Sequence, residues 1–129
     1  MVKVPTDGNG KTVTVNERSS CILGFELEDP TTRNPIPSTS IISCMFTLTD
    51  KATDAVIGGH DEDDVLSRFD ASGRFSMVLG PTDNAIVSTD PAVSQEVHVA
   101  TFVTVATSGE DQLTLTEEIW ITITNNQQS

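Results

Sequence analysis

The chain holds 129 residues, 19 acidic against 7 basic for a formal charge of -12, with 18 Thr, 13 Val and 9 Ile and no Tyr. That balance excludes direct nucleic-acid and anionic-membrane binding as natural roles, because phosphate recognition takes clustered Lys or Arg and the basic residues here are few and scattered. One domain is expected, with about two-thirds of the unfolded surface buried at this size, no apolar run near the ~20 residues that cross a bilayer, and no cationic-then-apolar signal segment at Met1.

The β-branched excess sorts into period-two alternation bounded by turn residues, the mark of half-buried strands. After the start Asp7-Gly8-Asn9-Gly10, the run Thr12-Val13-Thr14-Val15 alternates as an opening edge strand. Cys21, Leu23, Phe25 and Leu27 then share an inner face against Ile22, Gly24, Glu26 and Glu28. Three prolines between Asp29-Pro30 and Pro37-Ser38 remove amide donors and predict a fixed loop. Ile42, Cys44, Phe46 and Leu48 make the next buried face, and Asp50-Lys51-Ala52-Thr53-Asp54 turns the chain into Ala55-Val56-Ile57 as a hairpin. Gly58-Gly59 opens an acidic loop, His60-Asp61-Glu62-Asp63-Asp64, ahead of a short Val65-Leu66 stretch.

Asp70-Ala71-Ser72-Gly73 reads as a turn, since Asp and Ser bond their own backbone and Gly accepts positive φ; Phe75, Met77 and Leu79 follow on one face. Gly80-Pro81-Thr82-Asp83-Asn84-Ala85-Ile86-Val87 has turn or single-turn helix character. Residues 96–106 are apolar on both faces, as in a central strand. Ser108-Gly109-Glu110-Asp111 then turns the chain into a last long strand with Leu113, Leu115, Ile119, Ile121 and Ile123 on one face and Trp120 on the other. Strands at this spacing without amphipathic helices between them predict an all-β, antiparallel β-sandwich of about seven strands.

Sequence signals for chemistry are sparse. Gly10-Lys11-Thr12 superficially ends a phosphate-binding loop, but Pro5 stands where its first glycine belongs and a strand follows instead of a helix. Residues 60–64 offer oxygen ligands of the kind Ca²⁺ takes, without EF-hand spacing, so a solvated loop is the expectation. His98 sits mid-strand as a hydrogen-bonded structural residue and His60 in a mobile loop, with no ligand pair at fixed spacing and no nucleophile partner. No catalytic residue, cofactor or metal is therefore expected, and the chain reads as non-enzymatic. Cys21 and Cys44 lie on inner faces and read first as buried free thiols, second as a disulfide. They are 23 positions apart on consecutive strands, which does not fit the inter-sheet bridge of an immunoglobulin domain, and without Tyr there is no tyrosine corner. Trp120 has two readings: burial under a second layer, or an exposed anchor for a partner.

The order of these features is itself informative. Phe25-Glu26-Leu27-Glu28-Asp29-Pro30 runs into Pro35 and Pro37; Phe46-Thr47-Leu48-Thr49-Asp50 turns through Asp54 into Ile57; Asp70-Ala71-Ser72-Gly73-Arg74-Phe75 leads to Leu79 and Pro81-Thr82-Asp83-Asn84; two long strands close the chain. This layout resembles, over about residues 20–124, the small immunoglobulin-like domains of tailed-bacteriophage virion proteins, similar to the N-terminal domain of upper baseplate proteins. The resemblance implies an immunoglobulin-like sandwich over residues 20–125 between an N-terminal arm, 1–19, and a polar tail, 126–129. It also implies a bacteriophage virion structural protein: a head-tail connector or tail subunit, or a capsid decoration protein. Such a protein is made in the host cytoplasm and is multicopy or homo-oligomeric in the particle, where it contacts other virion proteins.

The candidate partner-binding residues are Thr12, Val13, Thr14 and Val15, through strand addition to a neighbouring subunit, and Trp120. If 1–19 is an assembly arm, its deletion leaves stability nearly unchanged; a disordered N-terminus is the alternative. The charge keeps free copies apart and favours docking on a basic patch. A carbohydrate-binding or adhesive sandwich is the alternative function, for which one Trp and five Phe are thin material. A hydrolase with a dispersed site, sensitive to His98 or His60 substitution, is a third.

Overall fold

Two-residue alternation gives each strand one apolar face, and the computed structural model, which describes residues 2–3, 12–30, 32–88 and 93–125, folds those faces against each other. The strands are β1 (Val2–Lys3), β2 (Thr12–Asn16), β3 (Cys21–Leu27), β4 (Ile41–Asp50), β5 (Asp63–Asp64), β6 (Arg74–Leu79), β7 (Gln95–Ser108) and β8 (Asp111–Thr124), with 3₁₀ turns at Ser38–Ser40 and Leu66–Arg68. A three-stranded sheet in the order β1-β3-β6 packs on a five-stranded one in the order β2-β8-β7-β4-β5. The all-β sandwich predicted from alternation is what forms. The start at residues 7–10, Gly10 and Lys11 of the rejected phosphate motif, and the tail 126–129 lie outside the described residues.

Four phenylalanines join the sheets. Phe25 lies opposite Phe75 in the β3–β6 register, and Phe46 opposite Phe102 in the β4–β7 register. Their rings meet across the sandwich, Phe25 stacked on Phe75 at 4.6 Å, Phe75 edge-on to Phe102 at 4.9 Å and Phe46 stacked on Phe102 at 5.1 Å. Such pairs add about 0.5–1.5 kcal/mol each beyond the area they bury. Leu23, Leu27, Leu48, Leu79, Ile121 and Ile123 fill the remaining layer. Cys21 and Cys44 are both free thiols; Cys44 is buried as expected, but Cys21, the first residue of β3, is only half-buried. Cys44 instead accepts a hydrogen bond from the Thr104 hydroxyl at 3.3 Å.

The loops follow their predicted chemistry. The proline-rich segment is pinned by the amides of Asp29 on the Asn34 carbonyl (2.9 Å) and Ile36 on the Leu27 carbonyl (2.9 Å), and the Ser108 hydroxyl donates to the Asp29 carboxylate. Asp70 Oδ1 accepts from the Ser72 amide (2.9 Å), the Ser72 hydroxyl (2.8 Å) and the Arg74 amide (3.0 Å), and Gly73 takes φ +88°. A Cβ there would meet the Ile36 carbonyl oxygen at 2.1 Å, so only glycine closes this turn. The hairpin after β4 forms through Asp50 N to Ala55 O and Ile57 N to Leu48 O. Residues 80–87 form turns and no helix, because Asn84 turns inward and bonds neighbouring segments.

Two expectations about the N-terminal part are corrected. The sandwich is not antiparallel throughout: β2 runs parallel to β8, with Thr12 beside Trp120 and Val15 beside Ile123. The segment Thr12, Val13, Thr14 and Val15 is also not an arm outside the core, since Val15 is 8% exposed and belongs to the core cluster. The physical reason is the bare edge of β8. Its other side is taken by β7, and a row of unpaired amides and carbonyls is satisfied by laying the incoming chain along it.

Candidate functional site

The two stretches singled out for partner binding, far apart in sequence, meet in one place. The β2–β8 register sets Thr12 beside Trp120, and the β7–β8 register sets Trp120 beside Val99, which in turn lies opposite Thr49 on β4. These side chains stand on the outer face of the five-stranded sheet. The neighbouring outward rows are Thr47, Thr101 and Glu118, then Met45, Val103 and Thr116. Trp120 is 41% exposed, its indole N–H donating to Glu118 Oε1 at 3.2 Å and the Lys51 ammonium lying 4.8 Å over its ring. Trp120 is therefore exposed and not covered by a second layer. Although the chain is strongly acidic, the outward positions of β7 between Gln95 and Thr107 are uncharged, and those of β8 between Gln112 and Thr124 carry Glu118 alone. Among the described residues β2 is the last strand on this side of the sheet.

A second constellation escaped the sequence reading. Asp50 closes β4, and the β4–β7 register puts it opposite His98, two residues from Glu96 on the same inward face. Asp50 is 4% exposed, Glu96 9% and His98 0%, and one ligating atom from each lies within 4.8 Å of the others. His98 Nε2 bonds Glu96 Oε1 at 2.7 Å; the Glu96 oxygens also accept the amides of Val87 (2.9 Å) and Ser88 (3.1 Å). The Thr53 hydroxyl donates to Asp50 Oδ2 at 2.8 Å. Asp50 and Glu96 line a cleft of about 640 Å³ together with Lys51, Thr53, Val87 and Ser88. His98 is hydrogen-bonded as expected, to Glu96, and Asp50 lies beside the pair without bonding the imidazole, a meeting of buried groups that alternation alone does not reveal.

No protein-family model matches the chain, and no curated protein matches its sequence. The arrangement of its side chains is what supports a functional reading. His60, expected in a mobile loop, is clamped instead: Nδ1 lies 2.6 Å from Asp63 Oδ2 and Nε2 3.0 Å from Asp83 Oδ1, while its backbone carbonyl accepts the Leu48 amide. Burial alone would lower the imidazole pKa, but the hydrogen bonds and charges of Asp63 and Asp83 outweigh it and hold His60 above its ordinary 6.5. This clamp ties the acidic loop to the turn before β7. It also engages Asp63, one of the carboxylates considered for Ca²⁺, and Asp64 Oδ1 accepts the Leu66 amide. Asn84 is fully buried, donating to the Ser19 carbonyl at 2.7 Å and to Cys21 Sγ at 3.6 Å. Nothing in its turn-like sequence marked it as a core residue. Burial pushes both thiols above the ordinary 9.0, only partly offset by the hydrogen bonds from Asn84 and Thr104, so neither is poised as a thiolate nucleophile.

Proposed function

We propose that this chain is a non-enzymatic structural subunit of a tailed-bacteriophage particle, a connector, tail or decoration component that holds its neighbours through the outer face of the five-stranded sheet. The observation that carries the proposal is the Thr/Val-rich surface around Trp120 and Thr12, where Glu118 is the one charged outward side chain of β7 and β8. In a chain of charge -12 the outward positions of the two long central strands carry a single acid, Glu118, and Asp64 stands at the far edge beside Met45. Interface cores are depleted in charge and enriched in tryptophan, and anchors of this kind lie near the centre of a contact. The order of strands and turns, similar to virion immunoglobulin-like domains, supports the phage setting, and the net charge keeps unassembled copies apart.

The carbohydrate-binding alternative loses support from the aromatic cluster. Four of the five phenylalanines are buried between the sheets and Phe69 packs on Phe25 and Phe75, which leaves Trp120 as the exposed aromatic side chain among the described residues. Stacking platforms for sugars need more than that.

The test is incorporation. Phage particles assembled with the wild-type chain, purified by density gradient and read by quantitative mass spectrometry, carry it in multiple copies. Particles assembled with Trp120→Asp lose it, while the variant keeps the wild-type circular dichroism spectrum. Wild-type incorporation of Trp120→Asp refutes the docking face, and absence of the wild-type chain from particles refutes the virion role.

A further inference from the structure

We infer that Asp50, Glu96 and His98 form a binding site for a single divalent transition-metal ion, Zn²⁺ by preference, with an open coordination position facing the cleft beside them. Charge balance makes the argument. Two carboxylates and one imidazole are enclosed together, and among the described residues no lysine or arginine pairs with either acid. The nearby Lys51 ammonium lies over Trp120. Two acidic side chains and an imidazole gathered away from water with no cationic side chain beside them form an anionic donor set, and buried groups of that kind are tolerated where they are paired or hold a metal. A divalent cation with two carboxylates and a neutral imidazole sums to zero.

The second, independent observation is that the cluster is unfinished. Asp50 Oδ1 and His98 Nδ1 are both buried and have no hydrogen-bond partner, on residues 4% and 0% exposed. Buried polar atoms are rarely left so, and one that is so requires a reason such as an ion. The rest of each side chain is already oriented: Thr53 holds Oδ2 of Asp50 and leaves Oδ1 free, and the Val87 and Ser88 amides hold both oxygens of Glu96. Hydrogen bonds of this kind set the direction of ligating carboxylates in metal sites. The donor set of one nitrogen and two oxygens suits Zn²⁺, which takes three protein ligands and a water where a site is open. It does not suit Ca²⁺, which takes six to eight oxygens and no imidazole. Asp50 and Glu96 line the cleft, so the remaining position faces a space that admits water or a small ligand.

The full-length chain, stripped with chelator and dialysed against Zn²⁺, is expected to retain a single equivalent of zinc by mass spectrometry of the metal. His98→Gln and Asp50→Asn are expected to weaken binding by at least about 10- to 100-fold, whereas His60→Gln, which removes the other histidine with carboxylate neighbours, leaves it unchanged. On the wild-type protein, the imidazole ¹⁵N resonances of His98 shift on zinc addition and those of His60 do not. That measurement decides the matter even if the His98 variant fails to fold. No retained zinc, zinc retained undiminished by a folded His98→Gln, a shift confined to His60, or equal competition by Ca²⁺ would each overturn the site. Particle incorporation is read separately, so failure here leaves the docking-face proposal standing.

Discussion

Replacing Val15 by alanine separates a docked β2 from a loose arm. Val15 sits inward beside Ile123 at the edge of the five-stranded sheet, and the substitution removes two buried methyl groups. Transfer contributes about 0.8 kcal/mol for each, and partial collapse at an edge strand keeps the added cavity cost small, so the loss is about 2 kcal/mol. For a domain of this length that is a fall of about 7 °C in Tm, or about 1 M in the urea midpoint with m unchanged. The neighbouring Thr14 is exposed, and Thr14→Ala is expected to stay within about 0.5 kcal/mol of wild type. Urea unfolding of both variants followed by circular dichroism makes the comparison. If Val15→Ala also stays within that margin, β2 does not dock on β8 in the free protein and 1–19 is an arm after all. By the same reasoning deletion of residues 1–19 destabilises the fold, opposite in sense to the expectation for a detached arm, because it also removes the Ser19 carbonyl that binds Asn84.

Three further outcomes are expected. Folded His60 holds its proton more tightly than the unfolded chain, so its stabilisation is fully present below the ordinary imidazole value of 6.5 and is lost as pH rises through the raised folded value. The stability gap between wild type and His60→Gln, measured by urea titration across pH, therefore narrows as pH increases, and a gap that widens refutes the clamp. Cys44, fully enclosed and raised in pKa, resists alkylation until the protein unfolds, whereas the half-buried Cys21 reacts slowly in the native state; mass spectrometry of iodoacetamide adducts reads the order. Gly73→Ala forces a Cβ against the Ile36 carbonyl at positive φ and is expected to cost about 2–3 kcal/mol, against a neutral change for Ala71→Gly, whose position in the same turn is exposed.

The residues with a local signature were legible. Leu23, Phe25 and Leu27, or Phe75, Met77 and Leu79, show their buried face by alternation alone, because a strand's side chains repeat every two residues whatever it pairs with. Asp70 and Gly73 likewise declare a turn through bonds made within four residues. Glu96 and His98 are visible in sequence as a same-face pair, yet nothing local announces Asp50 as their neighbour. Alternation places side chains on a face without saying which strand lies beside it.

Composition and periodicity alone determined that this chain is an all-β sandwich, acidic and without a local catalytic motif, and they named Thr12 to Val15 and Trp120 as surfaces of interest. Tertiary structure decided what those residues do. Strand register joined Thr12 to Trp120 and Asp50 to His98, and the unpaired edge of β8 drew β2 into the sheet, parallel and half buried. Both outcomes depend on long-range backbone hydrogen bonds, whose partners are chosen by the fold as a whole and leave no period in the sequence.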